Sequence, residues 1–331
     1  MRAVVARRHG PPETLTLEDL PSLVPAAGEV VVAVHAAAVN FPDTLIIEDR
    51  YQLKPPLPFS PGGEVAGVVK ALGQGVTGFA VGDRVIAACR WGGFAEEVIA
   101  PPDRLAPVPR GVGMAAAAAL MMTYGTTHYA LQECARIAPG ETLLVLGAAG
   151  GTGLSAIELG KLMGARVIAA ASSREKLALC RDRGADETIL YTPENLRNEI
   201  RRLTQDCGVD VVYDPVGGDY AQPALRGMAW GGRYLVIGFT AGIPKLPMNL
   251  PLLKGCSIVG VFYGAFAKRF PARYAALRAQ LVDWFAEGRV RPAITALLPL
   301  EEAAKALRLV AGRQAIGKIV LTTALGRGEG G

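Results

Sequence analysis

The stretch Thr142–Gly153, TLLVLGAAGGTG, constrains this chain more than any other. Its apolar start, Thr142–Leu146, reads as a buried strand, and Gly147, Gly150, Gly151 and Gly153 then release the chain into a helix expected near Thr152. A strand, a glycine turn and a helix in that order present backbone N–H groups at a helix N-terminus with no Cβ in the way. A diphosphate can bind there. The spacing is G-x-x-G-x-x-G, which departs from the strict G-x-G-x-x-G dinucleotide fingerprint. Alone, the motif fits a structural glycine turn as well as a binding one.

The order of the elements downstream separates those two readings. Apolar runs at Ala165–Ala171, Thr188–Tyr191, Val209–Asp214 and Arg233–Gly238 have strand character, and helical stretches precede each of them: Thr152–Met163, Arg174–Arg183, Pro193–Thr204 and Tyr220–Ala229. This alternation predicts an α/β fold with a doubly wound parallel sheet, its ligand lying at the carboxyl ends of the strands.

With 331 residues the chain can build about two domains with cores of their own. Half of the residues are hydrophobic, yet Gly, Pro or a charge interrupts each long apolar stretch within about 18 residues, so no membrane span is expected. The N-terminus, MRAVVARRHGPPE, lacks the apolar core of a signal peptide, and a cytoplasmic location is expected. Five scattered cysteines, Cys89, Cys134, Cys180, Cys207 and Cys256, fit a reducing compartment. The net charge of +5 raises nucleic acid as a partner, but the densest basic cluster, Arg197–Arg202, lies on one amphipathic helix and reads as a solvated face. No nucleic-acid or membrane partner is expected.

Residues 1–120 differ in character. Short alternating runs at Arg2–Arg7, Leu15–Glu18, Glu29–Ala36, Glu64–Leu72, Asp83–Ala88 and Phe94–Ala100 suggest a compact β-rich, barrel-like module. Asn40 is placed to cap a short helix over Pro42–Glu48, and the proline-rich Tyr51–Gly63 reads as an ordered loop. Helix is expected over Met114–Leu120 and Met121–Leu131, with a domain boundary nearby. Further on, Leu253–Tyr263 reads as a strand, Ala272–Glu287 and Leu300–Gly312 as amphipathic helices, and Lys318–Thr322 as a last strand, with the final GRGEGG frayed.

Taken together, Asn40–Asp43 (NFPD), Tyr51–Gly67, Gly147–Gly153, Asp214–Gly218 (DPVGG), Leu253–Phe266 and Gly317–Leu321 (GKIVL) make the chain resemble the medium-chain dehydrogenase/reductase superfamily over nearly its whole length. Within it, the chain is similar to the zinc-free, NADPH-dependent quinone oxidoreductase branch. The resemblance implies a GroES-like domain over 1–120 completed by 263–331, a Rossmann domain over 121–262, and a cleft between them. Zinc-dependent relatives place a Cys near the position of Asn40 and a His before the Glu that aligns with Glu64. Here that His is Gly63, and His9, His35 and His128 have no ligand spacing with any cysteine, so no metal site is expected.

The second strand of a Rossmann unit reports on the cofactor. An NAD-specific unit carries an acid at the end of that strand. Here it ends Ala171-Ser172-Ser173-Arg174-Glu175-Lys176, where hydroxyls and cations can hold a 2′-phosphate by charge-assisted hydrogen bonds. Ser172 can also cap the following helix in a capping box with Glu175. By resemblance, Lys176 and Tyr191 match positions that contact the adenosine phosphate, with Ser172 as a third. The same resemblance places Asn40, Thr126, Gly238, Phe239, Phe262 and Gly264 around the nicotinamide, the turn Gly150, Gly151, Thr152 and Gly153 on the diphosphate, and Arg313 towards the cofactor phosphates. Asn40 and Tyr51 are the expected catalytic pair, Tyr51 lining the substrate pocket.

The expected activity is hydride transfer from NADPH to a quinone. Reduction of an α,β-unsaturated carbonyl or an enoyl- or acryloyl-CoA double bond stays open beside it, as does a sensor or structural role for an NADPH-binding protein. The partner is then a small-molecule quinone or enone. Ser257–Val261 reads as an edge strand able to pair with its twin in a homodimer.

Overall fold

The computed structural model describes residues Met1–Glu329. Among these residues fifteen strands succeed one another along the chain: β1 (Arg2–Val5), β2 (Thr16–Asp19), β3 (Val30–Ala38), β4 (Glu64–Leu72), β5 (Arg84–Ala88), β6 (Glu97–Ala100), β7 (Leu105–Pro107), β8 (Thr142–Val145), β9 (Arg166–Ala171), β10 (Glu187–Leu190), β11 (Val209–Asp214), β12 (Met228–Val236), β13 (Ser257–Gly260), β14 (Ile294–Pro299) and β15 (Lys318–Thr322). The helices are α1 (Phe41–Ile47), α2 (Met114–Ala118), α3 (Met121–His128), α4 (Gly151–Leu162), α5 (Arg174–Asp182), α6 (Leu196–Leu203), α7 (Ala221–Arg226), α8 (Asn249–Lys254), α9 (Tyr263–Arg269), α10 (Pro271–Ala286) and α11 (Ala303–Ala311). They sort into two units, Met1–Met122 with the chain from Arg291 onward, and Thr123–Val290.

The first unit is built on a sheet of order β14-β15-β3-β4-β5-β7, with β6 also pairing β3. Its long central strand β3, VVVAVHAAA, is valine-rich and buried at most positions, as a strand covered on both faces must be. β15 pairs antiparallel with β3, so the C-terminal segment adds β15 and the edge strand β14 to a sheet that the N-terminal third began. Valines of β3, β4, β5 and β6 form one core with Phe59, Phe94, Ile319 and Leu321. The expected fraying after Leu325 does not hold as far as Glu329: Gly326–Glu329 forms a 3-10 turn, preceded by a Thr323 N–H bond to the His35 carbonyl. Gly330 and Gly331 lie outside the described residues.

The second unit carries the parallel sheet, in the order β10-β9-β8-β11-β12-β13. Each neighbouring pair is parallel, and the order reverses direction between β8 and β11, the switch point of a doubly wound sheet. Leu144, Leu146, Ile168, Val212 and Tyr234 are fully buried in its core.

Three expectations are corrected here. Leu253–Tyr263 is not one strand, because α8 runs to Lys254 and Gly255, at φ 55°, closes it in the left-handed conformation; strand begins only at Ser257 and α9 starts at Tyr263. The change of unit expected at 263 falls after Val290, because Phe266, Ala267, Tyr274 and Leu277 of α9 and α10 pack with Tyr129 of the second unit. The expected helix Met121–Leu131 is also interrupted, since Tyr129–Ala135 is a π-helical stretch that Arg136 ends at φ 51°. Among the described residues no helix is long and apolar enough to cross a membrane.

Candidate active site

In the second unit the ends of β9, β8, β11 and β12 present one row of turns. After β8 the chain passes Gly147 at φ 56°, and α4 opens at Gly151 with Gly150 as its N-cap. No side chain caps that end, so its N–H groups stay available to a ligand. The turn is tight: a Cβ on Gly153 would lie 2.5 Å from the Gly147 carbonyl oxygen and 2.6 Å from Ala148 backbone atoms. Ala148 N–H donates to Ala170 O at 3.0 Å, tying the turn to the last residues of β9.

Just past β9 the structure revises one assignment. The N-cap of α5 is Ser173, which accepts from Lys176 N–H at 3.3 Å, and not Ser172. Ser172 is thereby released from capping, and its hydroxyl sits 3.3 Å from Lys176 Nζ. Hydroxyl and ammonium therefore converge beside the glycine turn. Tyr191, the residue after β10, is buried edge-on to Tyr220 with ring centroids 4.5 Å apart. A tight glycine turn with free N–H groups, next to a serine and a lysine and with no acid at the strand end, fits a phosphorylated dinucleotide.

The next turn is built by Asp214, the last residue of β11. Its Oδ1 accepts from Val216 N–H at 2.7 Å and Gly217 N–H at 2.9 Å, and the Tyr234 hydroxyl donates to Oδ2. Burial pushes the Asp214 carboxyl up, against the pull of these donors. Gly238 N–H reaches the Asp214 carbonyl at 3.3 Å, and the Phe239 ring lies over the same turn, 3.2 Å from where a Gly217 Cβ would stand. Phe262 is the N-cap residue of α9 and is exposed, and a Cβ on Gly264 would lie 3.8 Å from Phe262 Cε2. Thr126 lies on α3. Its neighbour Thr127 joins a buried hydroxyl cluster, 2.7 Å from Ser155 Oγ on α4 and 2.8 Å from Tyr213 Oη on β11. That cluster was not singled out from the sequence.

Asn40, Tyr51 and Arg313 belong to the first unit. Asn40 is the N-cap of α1, as expected, and forms a capping box with Asp43, whose Oδ2 accepts from Asn40 N–H at 2.8 Å. The Asn40 carboxamide has further partners. Its Nδ2 donates to Glu64 Oε1 at 3.0 Å and Ala38 O at 3.2 Å, and its Oδ1 accepts from Lys318 Nζ at 2.7 Å. Lys318 Nζ also reaches Glu64 Oε1 at 3.0 Å and Val39 O at 3.3 Å, and Glu64 Oε2 accepts from Met122 N–H at 2.7 Å.

All of these side chains are nearly or wholly buried. Burial, outweighing the N–H donors of Asn40 and Gly62, pushes the Asp43 carboxyl up to about 7. The Cys89 thiol is pushed up to about 12, by burial first and then by the Asp43 and Glu64 carboxylates. Tyr51, half-buried, is raised by burial and by Asp43. Arg313 follows α11 at φ 56°.

Lys318 is the functional candidate that motif reading passed over. The signal was present: one charged residue opens the apolar strand β15 and is followed directly by Ile319, Val320 and Leu321, a placement that makes sense only if the charge has buried partners. Among the described residues no group of three or more His, Cys, Asp and Glu side chains is placed to hold a metal ion. The polar cluster does not suit zinc. Glu64 is committed to an ammonium, Cys89 is held as the thiol, and glycine stands before Glu64.

With this geometry in view, comparison with known proteins is consistent across methods. The family described as alcohol dehydrogenase GroES-like domain matches residues 26–110, and that described as zinc-binding dehydrogenase matches 151–280. A quinone oxidoreductase-like protein 2 homolog of Nematostella vectensis is 38% identical over 327 residues, covering 97% of this chain and 89% of that protein. A mycobacterial protein solved in complex with NADPH superposes with a TM-score of 0.90 at 31% identity, over 97% of this chain and all of its own. A quinone oxidoreductase of Pseudomonas syringae gives a TM-score of 0.90 at 31% identity, over 97% of this chain and 99% of its own.

Proposed function

Since the chain belongs to the quinone oxidoreductases of the medium-chain dehydrogenase/reductase family, it is an oxidoreductase, and we propose that it transfers a hydride from NADPH to a quinone without a metal ion. The observation that carries the cofactor reading is the Gly147–Gly153 turn beside the Ser172–Lys176 pair. The turn's N–H groups hold the diphosphate, and Lys176 and Ser172 hold the adenosine phosphate, with Tyr191 beside them. Phe239, Phe262 and Thr126 then confine the nicotinamide end.

When bound, the nicotinamide supplies the hydride, and the protein's work is to hold donor and acceptor in line and to keep water out. A quinone that accepts a hydride needs one proton to become the hydroquinone. Tyr51 suits that step. Burial and the Asp43 carboxylate keep its hydroxyl protonated, so Oη can donate to the reduced oxygen and recover a proton from water. The commitment of Glu64 and Asn40 to Lys318 supports a reaction without metal.

The exposed edge strand β13, with Ile258 on it and the exposed Trp230 and Leu252 on neighbouring segments, supports a homodimer through β13 pairing. The deciding experiment follows NADPH oxidation with 1,4-benzoquinone, with an enone and with an enoyl-CoA ester. Turnover with the quinone is expected. Inertness towards every quinone, with turnover of the enone or thioester, would replace this substrate class by the double-bond reductase reading.

A further inference from the structure

Beside the glycine turn of the second unit, hydroxyls from three elements form one chain. Thr127 of α3, Ser155 of α4 and Tyr213 of β11 are fully buried. Thr127 Oγ1 stands 2.7 Å from Ser155 Oγ and 2.8 Å from Tyr213 Oη. Tyr213 also meets the side chain of Thr152, in the first turn of α4. Thr152 is only half-buried, so the chain reaches the surface at this residue, in the same turn as the uncapped N–H groups.

Each of these four hydroxyls has one proton to give, and together they can order themselves in two ways. In the inward order Thr152 donates to Tyr213, Tyr213 to Thr127, Thr127 to Ser155, and Ser155 to the Thr152 carbonyl at 2.8 Å or the Thr123 carbonyl at 3.3 Å. Thr152 Oγ1 then has only lone pairs to show an incoming group. In the outward order Ser155 donates to Thr127, Thr127 to Tyr213 and Tyr213 to Thr152, which leaves the Thr152 proton to offer. Passing from one order to the other turns each hydroxyl about its C–O bond, and no proton changes owner. Burial pushes the Tyr213 phenol up, against the two threonine hydroxyls, so it stays a donor in both orders.

The inward order ends on a neutral carbonyl, whereas the outward order can end on an anion. A hydrogen bond to a charged acceptor is about twice as strong as one between neutral groups, so an anion at the turn draws the chain outward. We propose that Tyr213 is a positioning residue for the dinucleotide: with the diphosphate in the turn, Tyr213 donates to Thr152 Oγ1 and so sets the Thr152 hydroxyl to donate to a phosphate oxygen. The inference rests on the reading that the Gly147–Gly153 turn holds the diphosphate. It gives a share of the cofactor affinity to a tyrosine that touches neither cofactor nor substrate.

The test measures dissociation constants on the full chain by titration, for NADPH and for adenosine 2′-monophosphate, which carries the adenosine phosphate and no diphosphate. Tyr213→Phe frees the Thr152 hydroxyl to take any of three staggered positions and is expected to weaken NADPH about threefold. Thr152→Val removes a bond to a charged acceptor and is expected to weaken it about tenfold. The double variant is expected to lose no more than about tenfold in all, because without the Thr152 hydroxyl Tyr213 has nothing to position. Thr152→Ser, which keeps the hydroxyl, is expected to bind NADPH as the wild type does. Adenosine 2′-monophosphate is expected to bind every variant equally, even where Tm falls, whereas a purely structural tyrosine would weaken both ligands together.

NADPH binding unchanged or tightened in Tyr213→Phe overturns the inference, as do equal losses for the two ligands. A double variant weakened about thirtyfold, the additive result, also overturns it. The reading beneath it fails by a different sign: a wild-type chain that binds adenosine 2′-monophosphate as tightly as NADPH holds no diphosphate in the turn, and both fall. A wild type that prefers NADPH, with Tyr213→Phe indistinguishable from it, overturns the role of Tyr213 alone.

Discussion

Alanine at position 153 probes the glycine turn directly. The added methyl group would stand 2.5 Å from the Gly147 carbonyl oxygen and 2.6 Å from Ala148 backbone atoms. That is about 1 Å inside ordinary contact, and close-packed backbone cannot yield locally as a flexible side chain would. Over-packing of this kind costs about 1–3 kcal/mol. For a unit of this size each kcal/mol lowers Tm by about 2–4 °C. The displaced turn also loses its aim at the diphosphate, so NADPH binding falls with stability.

Gly150→Ser separates the two effects. Gly150 is an extended N-cap with only the Gly147 carbonyl nearby, 3.4 Å from its Cβ position, so serine fits and its hydroxyl can accept from the helix N–H groups. This variant is expected to keep its Tm and still bind NADPH more weakly, because the hydroxyl competes for the donors the diphosphate needs. Calorimetry of the apoprotein and titration with NADPH measure both quantities. A Gly153→Ala protein with wild-type Tm and affinity would refute the close-packing argument.

Three further outcomes are expected from the geometry. Lys176→Ala removes a charge-assisted contact of about 1.5–3 kcal/mol to a phosphate, which should raise KM for NADPH about tenfold or more and leave that for NADH in place; equal effects on the two would reject the assignment. Asp43 is raised in the fold from 3.8 to about 7, so its contribution to stability is full below its ordinary value and is lost as pH rises towards 7. Tm should therefore fall between about pH 4 and pH 7 more steeply in the wild type than in Asp43→Asn, and parallel slopes would contradict it. Tyr213→Phe takes a hydroxyl from the buried cluster with Thr127 and should cost about 1 kcal/mol in thermal unfolding, whereas an unchanged Tm would show the hydroxyl to be idle.

Much of the second unit was legible because its signals are local. β8, β9 and β11 are short apolar runs flanked by glycine or a cap, and α4 and α5 begin within a residue of where glycine and serine place them. Leu253–Tyr263 misled because hydrophobicity alone cannot tell a helix turn from a strand; Gly255 decided it through backbone conformation. Ser172 and Ser173 are equivalent as letters, and only the helix start chooses which one caps and which one faces out. The site in the first unit was legible at Asn40 and illegible at Lys318, since its partners lie 278 and 254 positions away in the chain. Pairings across such separations leave no periodic trace. They exist only once β15 lies beside β3.

That late arrival of β15 has a consequence for synthesis. The second unit is one uninterrupted segment, so it is available in full once Val290 has been made, while the first sheet still lacks β14 and β15. Until the last strands emerge, the Ala36–Ala38 end of β3, beyond the stretch that β6 pairs, offers bare backbone on that side, a surface that pairs readily with other chains. A ribosome stalled late, or a nonsense codon in the last tenth of the message, would release a chain whose nucleotide fold is finished and whose other half is an aggregation seed.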